Sequence, residues 1–401
     1  MTERSAWPTV RLGEVLTPVS REEVVDAAKE YRLLGVRLDG RGPFLRELVT
    51  GANTAAKKLF RVAKGDFIYS RLFAWRGAFG VIGGELDDSC VSGEFRTFVP
   101  APDRVDVEFL RHWFQLPATL ERVTVDCSGS TPLTRNRFKE HFFLALEIPL
   151  PPLAEQQRIV ARIEALAARI AEARTLRQQA GEEAETVLSN RVGQVFSQLE
   201  ARHESREFAS FDPHVTSGPR NWAKHYEESG FRFYRAQDVG PQGRILEDSR
   251  VFITPPPGEQ GRSAMLQGGD LMLVITGATV GRATVYREGL EPGFVSQHVG
   301  ICRLPQEEVE PEFALWGLRG SGGQAQLLGQ RYGQGKPGLN LSNIRSLSLP
   351  FPPLPEQRRI VAELDALQAQ VDALKHLQTE TAAELDALLP SILDRAFKGE
   401  L

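Results

Sequence analysis

The apolar residues of the C-terminal segment recur at alternating spacings of four and three positions. Since an α-helix turns once every 3.6 residues, this alternation places all of them on one face of a helix. The pattern is that of an a/d seam, by which long helices pair in coiled coils. Its members are Ile360, Leu364, Leu367, Val371, Leu374, Thr381, Leu385, Leu388 and Ile392.

A second seam of the same kind lies half a chain earlier. It weakens beyond residue 180, where alanine and glycine replace larger side chains, so we expect this helix to be broken over residues 180–193. Its members are Ile159, Ile163, Leu166, Ile170 and Ala173, followed by Ala180, Ala184 and Val187.

Both seams follow a duplicated motif. Residues 150–160 (LPPLAEQQRIV) match residues 351–361 (FPPLPEQRRIV) at an offset of 201 positions, which is half the chain. The prolines cannot continue a helix and the glutamate suits a first turn, so a helix begins at each copy. Such self-similarity predicts two copies of one structural plan. Shorter echoes are GDFI at 65–68 against GDLM at 269–272, and VS at 91–92 against VS at 295–296.

The two long helices are expected to pack against each other. A helix of roughly 40 residues is about 60 Å long and cannot bury an apolar stripe alone. Because a globular part separates the two copies, an antiparallel pair within one chain is the natural arrangement. Two separate coiled-coil homodimers remain the alternative.

The globular parts have the patterns of mixed structure. Residues 64–70 and 269–275 indicate turns that lead into buried strands, and residues 107–114 and 312–318 indicate short amphipathic helices. The predicted fold class is α+β: two mixed α/β domains separated by two long α-helices that form an antiparallel coiled coil, with an internal pseudo-twofold repeat. The expected division is 1–149 and 201–349 for the globular domains, and 150–200 and 350–401 for the helical spacers.

Composition narrows the class of protein. The chain has 401 residues, of which 41% are hydrophobic and 25% charged, and three cysteines without a C-x-x-C pair. These values are typical of a globular protein in a reducing compartment. No apolar run approaches the roughly 18 residues that a membrane span needs, so we expect a cytoplasmic protein. The net charge of −4 means that any basic surface is local.

Catalytic motifs are missing from the sequence. The glycine runs at residues 277–281 and 333–337 lack phosphate-loop spacing, and the seven histidines lack metal-ligand spacing. There is no Asn-Pro-Pro-aromatic motif of amino-methylating enzymes and no nuclease carboxylate cluster. We therefore expect no catalytic residue, no metal site and no cofactor, and the chain is not expected to be an enzyme.

One stretch of the first half is strongly basic. Between positions 29 and 76 there are eleven basic and four acidic residues, an excess that predicts a phosphate-binding face. Polar and basic side chains that can bond base edges follow it and recur in the second half. The predicted DNA-binding residues are Lys57, Lys58, Arg61, Arg71, Arg76, Ser130, Thr131, Arg135, Asn136, Arg137, Arg235, Arg262, Arg282, Gln330, Arg331, Lys336, Asn340 and Asn343.

The second helical segment has the opposite charge. Residues 354–401 contain five basic and nine acidic residues, so phosphates should repel this segment. We therefore expect this segment to contact protein. For each single residue of the basic stretch, an ordinary solvated surface position remains the alternative to DNA contact.

These motifs together resemble those of a known family. The doubled Pro-Pro-Leu-x-Glu-Gln motif, the GD and VS echoes before it, the opening WPTVRLGEV at residues 7–15 and the ending AFKGEL at residues 396–401 are similar to specificity subunits of type I restriction-modification systems. The resemblance covers the whole chain in order.

The resemblance implies two target-recognition domains that read a split site in double-stranded DNA. It also implies two methylase subunits docked on the helical spacers, with motor-nuclease subunits joined to them. Adenine methylation and ATP-dependent cleavage would belong to that complex, in defence against phage. Two other classes remain open: a DNA-binding module with different partners, and a coiled-coil scaffold that binds no DNA.

Insertion of four residues after Leu374 tests the spacer as a ruler. Four residues add about 6 Å and nearly one turn, so the apolar stripe keeps its phase. At about 3.4 Å per base pair, the preferred gap between half-sites should change by one or two base pairs, measured with duplexes of graded gap. A two-residue insertion is the control, because it turns Leu385 and Leu388 off the seam and should cause aggregation or loss of partner binding. An unchanged gap with tight binding would contradict the prediction.

Overall fold

The chain divides into two compact units in the computed structural model, which describes residues 7–127, 137–255, 261–331 and 338–401. Unit 1 comprises Met1–Arg177 and Thr379–Leu401, and unit 2 comprises Gln178–Gln378. The division passes through the helical spacers. Each unit therefore combines one globular part with a piece of both spacers.

The described residues of unit 1 form a globular part of strands and three short helices. Its helices are α1 (Val107–Trp113), α2 (Pro117–Val125) and α3 (Glu140–Ala145). Its strands are β1 (Thr9–Arg11), β2 (Leu16–Val19), β3 (Arg21–Val24), β4 (Glu30–Val36), β5 (Pro43–Thr50), β6 (Lys58–Arg61), β7 (Phe67–Ser70), β8 (Phe79–Val81), β9 (Cys90–Val91), β10 (Phe95–Pro100) and β11 (Glu147–Pro149). They form sheets of order β2-β10-β7-β8 and β3-β6-β9-β4-β5, and β1 pairs with β11.

The described residues of unit 2 repeat this plan. Its short helices are α5 (Pro311–Arg319), α6 (Ser321–Gly329) and α7 (Leu341–Arg345), numbered after the long helix α4 (Leu153–Glu200). Its strands are β12 (Ser205–Glu207), β13 (His214–Ser217), β14 (Tyr226–Glu227), β15 (Phe231–Tyr234), β16 (Phe252–Ile253), β17 (Leu271–Val274), β18 (Ala283–Val285), β19 (Gly293–Val295), β20 (Val299–Arg303) and β21 (Ser348–Pro350).

The sheets of the two units correspond strand by strand. The order β13-β20-β17-β18 in unit 2 repeats β2-β10-β7-β8, and the pair β12-β21 repeats β1-β11. The remaining sheet of each unit contains a parallel pair, β4 with β9 in unit 1 and β15 with β19 in unit 2. The duplication and the predicted α+β class are thereby confirmed. The short helices expected near residues 107–114 and 312–318 are α1 and α5.

The duplicated Gly-Asp motif forms the turn before β7 and before β17. The glycine of each motif has a left-handed φ, +85° in unit 1 and +90° in unit 2, which glycine adopts without steric cost. The aspartates that follow, Asp66 and Asp270, are buried and bond the guanidinium groups of Arg21 and Arg303. Each carboxylate also accepts from a backbone N–H of its own turn. The motif therefore has a structural role.

Two helices follow the second globular part, α8 (Leu354–Glu380) and α9 (Ala382–Phe397). In unit 1, α4 runs antiparallel to α9, since Arg174 pairs with Asp386 at 2.7 Å while the earlier Arg158 bonds the carbonyl oxygen of Leu401 at 2.7 Å. In unit 2, α4 runs antiparallel to α8. Glu185 of α4 bonds Lys375 of α8, and the later α4 residue Arg191 bonds Glu363, which comes before Lys375 in α8. None of the described helices is long and apolar enough to cross a membrane.

The expected break in the first spacer is wrong. Helix α4 is continuous from Leu153 to Glu200, and the interruption lies instead at Thr381, between α8 and α9. Glycine within a helix costs only about 1 kcal/mol relative to alanine. Burial of Leu188, Val192 and neighbouring apolar residues in the core of unit 2 outweighs that cost.

The predicted seam is correct at its start and wrong further along each helix. Ile163 and Leu364 are fully buried, as expected. Val187 and Leu388 are 57% and 45% exposed, and Leu188 and Leu393 are buried in their place. The reason is a further packing partner: α5 packs on α4 in unit 2, and α1 packs on α9 in unit 1. A two-helix seam does not include these contacts.

The glutamine of the duplicated motif is fully buried in unit 1. Gln156 accepts a hydrogen bond from the N–H of Asp106 at 2.8 Å, and Asp106 caps the first turn of α1. Its amide group donates to the carbonyl oxygens of Arg104 at 2.9 Å and Pro151 at 2.8 Å. One side chain thus joins the start of α4 to the start of α1.

Unit 2 repeats the same three hydrogen bonds. Gln357 is 1% exposed and accepts from the N–H of Glu310 at 2.9 Å, the residue before α5. Its amide group donates to the carbonyl oxygens of Glu308 at 2.9 Å and Pro352 at 2.8 Å. We call these two sets of bonds the glutamine clamps.

Replacing Gln156 with Leu should lower the free energy of unfolding of unit 1 by about 2–4 kcal/mol, because three backbone groups, one of them on the buried Pro151, lose their partner. Chemical denaturation of the full chain measures this loss. The neighbouring Gln157 is exposed, so Gln157→Leu is the control and should change stability by less than about 0.5 kcal/mol. Equal stability of the two variants would show that the clamp contributes nothing.

Candidate nucleic-acid interface

The turn between β7 and β8 carries two of the predicted DNA-binding residues, Arg71 and Arg76. The N–H of Arg71 donates to the carbonyl oxygen of Glu94 at 2.8 Å, and the N–H of Phe138 donates to the carbonyl oxygen of Arg71 at 2.9 Å. These backbone bonds bring three separate chain segments together. We call residues 71–78 with Glu94 and Arg137 the unit 1 turn surface.

Glu94 and Arg137 form a two-pronged ion pair on this surface. Nε and Nη2 of Arg137 donate to the two carboxylate oxygens of Glu94 at 3.2 and 2.7 Å. The hydrogen bond from Arg137 holds the pKa of Glu94 below its usual range, with further support from Arg71 and Arg96. The carboxylate therefore stays ionised at neutral pH. Arg137 remains 46% exposed in this pair.

Arg71 and Arg76 have no ion-pair partner among the described residues. Arg76 is exposed, and its guanidinium carbon lies 5.8 Å from the centre of the Trp75 ring. Phe73 in the same turn is 47% exposed. Basic groups interleaved with exposed aromatic rings suit contacts with phosphates and bases.

The predicted residues on β6 lie in the other sheet of unit 1 and have acidic partners. Lys58 pairs with Glu22 at 2.7 Å, and Arg61 pairs with both Glu23 and Asp88. The hydrogen bond with Arg61 lowers the pKa of Glu23. These acids stand outside residues 29–76, so the fold neutralises part of the basic excess counted along the sequence. Lys57, just before β6, is exposed.

Unit 2 contains a corresponding surface at the turn between β17 and β18. The N–H of Ile275 donates to the carbonyl oxygen of His298 at 2.9 Å, and the N–H of Leu339 donates to the carbonyl oxygen of Ile275 at 2.8 Å. Arg331 donates to the carbonyl oxygen of Val280 within the turn. We call residues 275–282 with His298 and Arg331 the unit 2 turn surface, on which Arg282 is exposed.

Other predicted residues of unit 2 bond within the fold. Asn340 and Asn343 bond each other's backbone and cap the start of α7, and Gln330 accepts from the hydroxyl of Ser346 at 3.2 Å. The guanidinium of Arg235 is held by Asp238, which is 3% exposed. These contacts give structural roles to residues that the sequence assigned to DNA.

Of the remaining predicted residues, one is exposed and five are not described by the structure. Arg262 is exposed and follows Gly261, whose backbone lies against the ring of Trp222. Five predicted residues fall outside the described part of the chain. They are Ser130, Thr131, Arg135, Asn136 and Lys336.

Two features of the site escaped the sequence reasoning. Glu94 is an isolated acid in the sequence, and only the fold brings it to Arg137. A cavity of about 340 Å³ in unit 2 is lined by aromatic and polar side chains, including Trp222, Phe233 and Gln237. The sequence shows Trp222 and Phe233 as apolar residues, but their spacing does not indicate that they line the same cavity.

The described residues include no group of three or more His, Cys, Asp or Glu residues that could hold a metal ion. Burial raises the pKa of Cys127 to about 11 and that of Cys302 to about 12, so neither thiol is ionised at neutral pH. Burial lowers the pKa of His112 to about 4, and this ring bonds Gln115 at 3.0 Å.

Comparison with known proteins agrees with the duplicated fold. The family model described as "Type I restriction modification DNA specificity domain" matches residues 5–180 and 259–383. The EcoKI specificity subunit of Escherichia coli K12 is 23% identical over 66% of this chain and 60% of that protein. The chain thus spans less than two thirds of that relative's length.

Two solved structures share the fold over nearly the whole chain. The HsdS subunit from Thermoanaerobacter tengcongensis has a TM-score of 0.65 and 24% identity, covering 98% of this chain and 97% of that one. A chain from work on assembly and conformational transition of the type I R-M system has a TM-score of 0.74 and 24% identity, with full coverage of both. The family match extends over most of the chain, which therefore belongs to the type I restriction-modification specificity subunits.

Replacing Arg235 with Ala should lower the stability of unit 2 by about 3 kcal/mol, because the buried carboxylate of Asp238 loses its partner. Thermal and chemical unfolding measure the loss. Arg282→Ala is the control, since this arginine is exposed and its removal should change stability by less than about 0.5 kcal/mol. A folded, fully stable Arg235→Ala protein with impaired DNA binding would instead assign Arg235 to the interface.

Proposed function

We propose that this chain is the non-catalytic subunit that selects the DNA sequence for a type I restriction-modification complex. Residues 1–149 and 201–349 are the two target-recognition domains, each reading one half of a split site. Residues 150–200 and 350–401 are the spacers that dock two methylase subunits, which motor-nuclease subunits join. Methyl transfer and cleavage belong to those partners.

The observation that carries this proposal is the repeated turn surface within a duplicated family fold. Each unit places a turn between two strands of its four-stranded sheet beside a later chain segment, through equivalent backbone bonds. The side chains on the two surfaces differ, with Glu94 and Arg137 in unit 1 against His298 and Gly338 in unit 2. Equivalent frames with different side chains suit two half-sites of different sequence.

The helical spacers support a protein partner rather than DNA. Residues 354–401 have an excess of acids, which phosphates repel. Exposed apolar side chains lie on α4 in each unit, with Leu176 and Val187 both 57% exposed. The acidic excess of one spacer and the exposed apolar residues of the other both favour a protein partner.

Sequencing of methylated bases in the host genome tests the proposed function. We expect one split motif of two short half-sites separated by a fixed gap, methylated at adenine, and lost on deletion of the gene. A host whose adenine methylation is unaffected by the deletion would contradict the proposal. So would a continuous motif without a gap.

Substitutions on the two turn surfaces sharpen the same experiment. Arg71→Ala or Arg76→Ala should relax the first half-site alone, because base contacts in one unit do not touch the other half-site. Arg282→Ala is the matched variant in unit 2 and should affect the second half-site alone. Equal relaxation of both half-sites by one substitution would overturn the modular interpretation.

A further inference from the structure

Arg137 combines a fixed side chain with an open bonding edge. The clamp by Glu94 uses Nε and one N–H of Nη2, which lie along the side of the guanidinium group. Three of the five N–H groups remain: two on Nη1 and one on Nη2. No described residue accepts a hydrogen bond from them. The terminal edge of the guanidinium thus presents two parallel donors from a half-exposed position.

The other predicted arginines in the described part of the chain differ from this arrangement. The guanidinium groups of Arg61 and Arg235 are engaged by two residues each, Glu23 and Asp88 for the first and Asp238 and Ser249 for the second. No carboxylate of the described residues lies within ion-pair distance of Arg71, Arg76, Arg262 or Arg282. Arg331 bonds a backbone oxygen. Arg137 alone among these described residues is both clamped by a two-pronged carboxylate and open at its terminal edge.

We propose that Arg137 reads a guanine in the major groove of one half-site, and that Glu94 is the positioning residue that orients it. Guanine presents two acceptors, O6 and N7, to the major groove, and their spacing matches the two terminal N–H groups of arginine. The clamp fixes the guanidinium before DNA arrives, so less side-chain entropy is lost on binding. This inference rests on the proposed function in DNA recognition.

Unit 2 lacks the same device at the corresponding place. His298 accepts the backbone hydrogen bond that corresponds to the one accepted by Glu94. Gly338 stands just before Leu339, at the position that corresponds to Arg137 before Phe138. A glycine has no side chain with which to read a base. The guanine contact therefore belongs to the half-site read by unit 1, and the two half-sites need not be related in sequence.

The test is selection from a pool of DNA duplexes with two randomised half-sites and gaps of several lengths. The full-length chain, purified with the subunits that it carries from its host, selects duplexes that are then sequenced. In wild type, one half-site should contain a G·C pair with strong preference. Arg137→Ala and Arg137→Lys should each reduce that preference about 5- to 150-fold and leave the other positions unchanged.

Glu94→Gln separates positioning from a merely structural role. Arg137 keeps its charge but loses its fixed orientation, so preference for the guanine should fall about 2- to 10-fold. Binding to random DNA should stay equal or rise, since a negative charge has been removed near the phosphates. In the Arg137→Ala background, Glu94→Gln should cause no further loss of preference.

The matched control is Glu140→Gln. Glu140 pairs with Arg96 at 3.1 Å, and Arg96 also bonds the backbone oxygens of Gly93 and Phe95. The substitution likewise removes one carboxylate charge beside an arginine. Because backbone oxygens also hold Arg96, base preference should not change. Unfolding temperatures of all variants identify any loss of fold.

The outcomes distinguish this inference from the proposed function. If wild type selects no sequence from the pool, the proposed function fails. If it selects a split site in which no guanine depends on Arg137, the inference fails and the proposed function stands. A further loss of preference from Glu94→Gln in the Arg137→Ala background would show that Glu94 does not act through Arg137.

Discussion

A buried glutamine fixes where each long helix begins relative to the globular part that precedes it. Gln156 and Gln357 each bond three backbone groups, one of them on a buried proline, and each bonds the residue just before α1 or α5. Leaving such groups unpaired is costly, so few other positions of the helix are permitted. The turn surfaces belong to the same globular parts. The direction from which each unit can present its arginines therefore depends on the clamp.

The sequence predicted the helices well and their partners incompletely. Spacing of four and three positions identified the buried residues near Ile159 and Ile360. It was wrong at Val187 and Leu388, because α5 and α1 add packing that no local pattern contains. The expected break after Ala180 was wrong for the same reason: tertiary burial overrides weak helix propensity. Duplicated motifs, in contrast, predicted the equivalence of the two units, since equal sequences require equal local bonds.

The position of the candidate interface could be predicted from the sequence better than its contacts could. Arg71 and Arg76 follow a buried strand, and their neighbourhood could be inferred from the turn. The partners of Lys58 and Arg61 could not, since strand pairing between β3 and β6 brings acids from outside the basic stretch. Glu94 was missed because its role depends on one ion pair with Arg137, which lies 43 positions further along the chain. A charge count along the sequence measures composition, whereas an interface depends on which charges remain uncompensated.

The discontinuity of unit 1 has a consequence for biosynthesis. Its core includes Leu393 and Phe397, which are synthesised long after Ile159 and Ile163 and belong to the same apolar core. At about 5 to 20 residues per second, the intervening stretch of roughly 200 residues takes on the order of 10 to 40 s to make. During that time the nascent first domain exposes an apolar helix face that chaperones or the rest of the chain must shield. A chain released before Leu393 and Phe397 are made would lack this part of the core, so unit 1 cannot complete its packing until both have been translated.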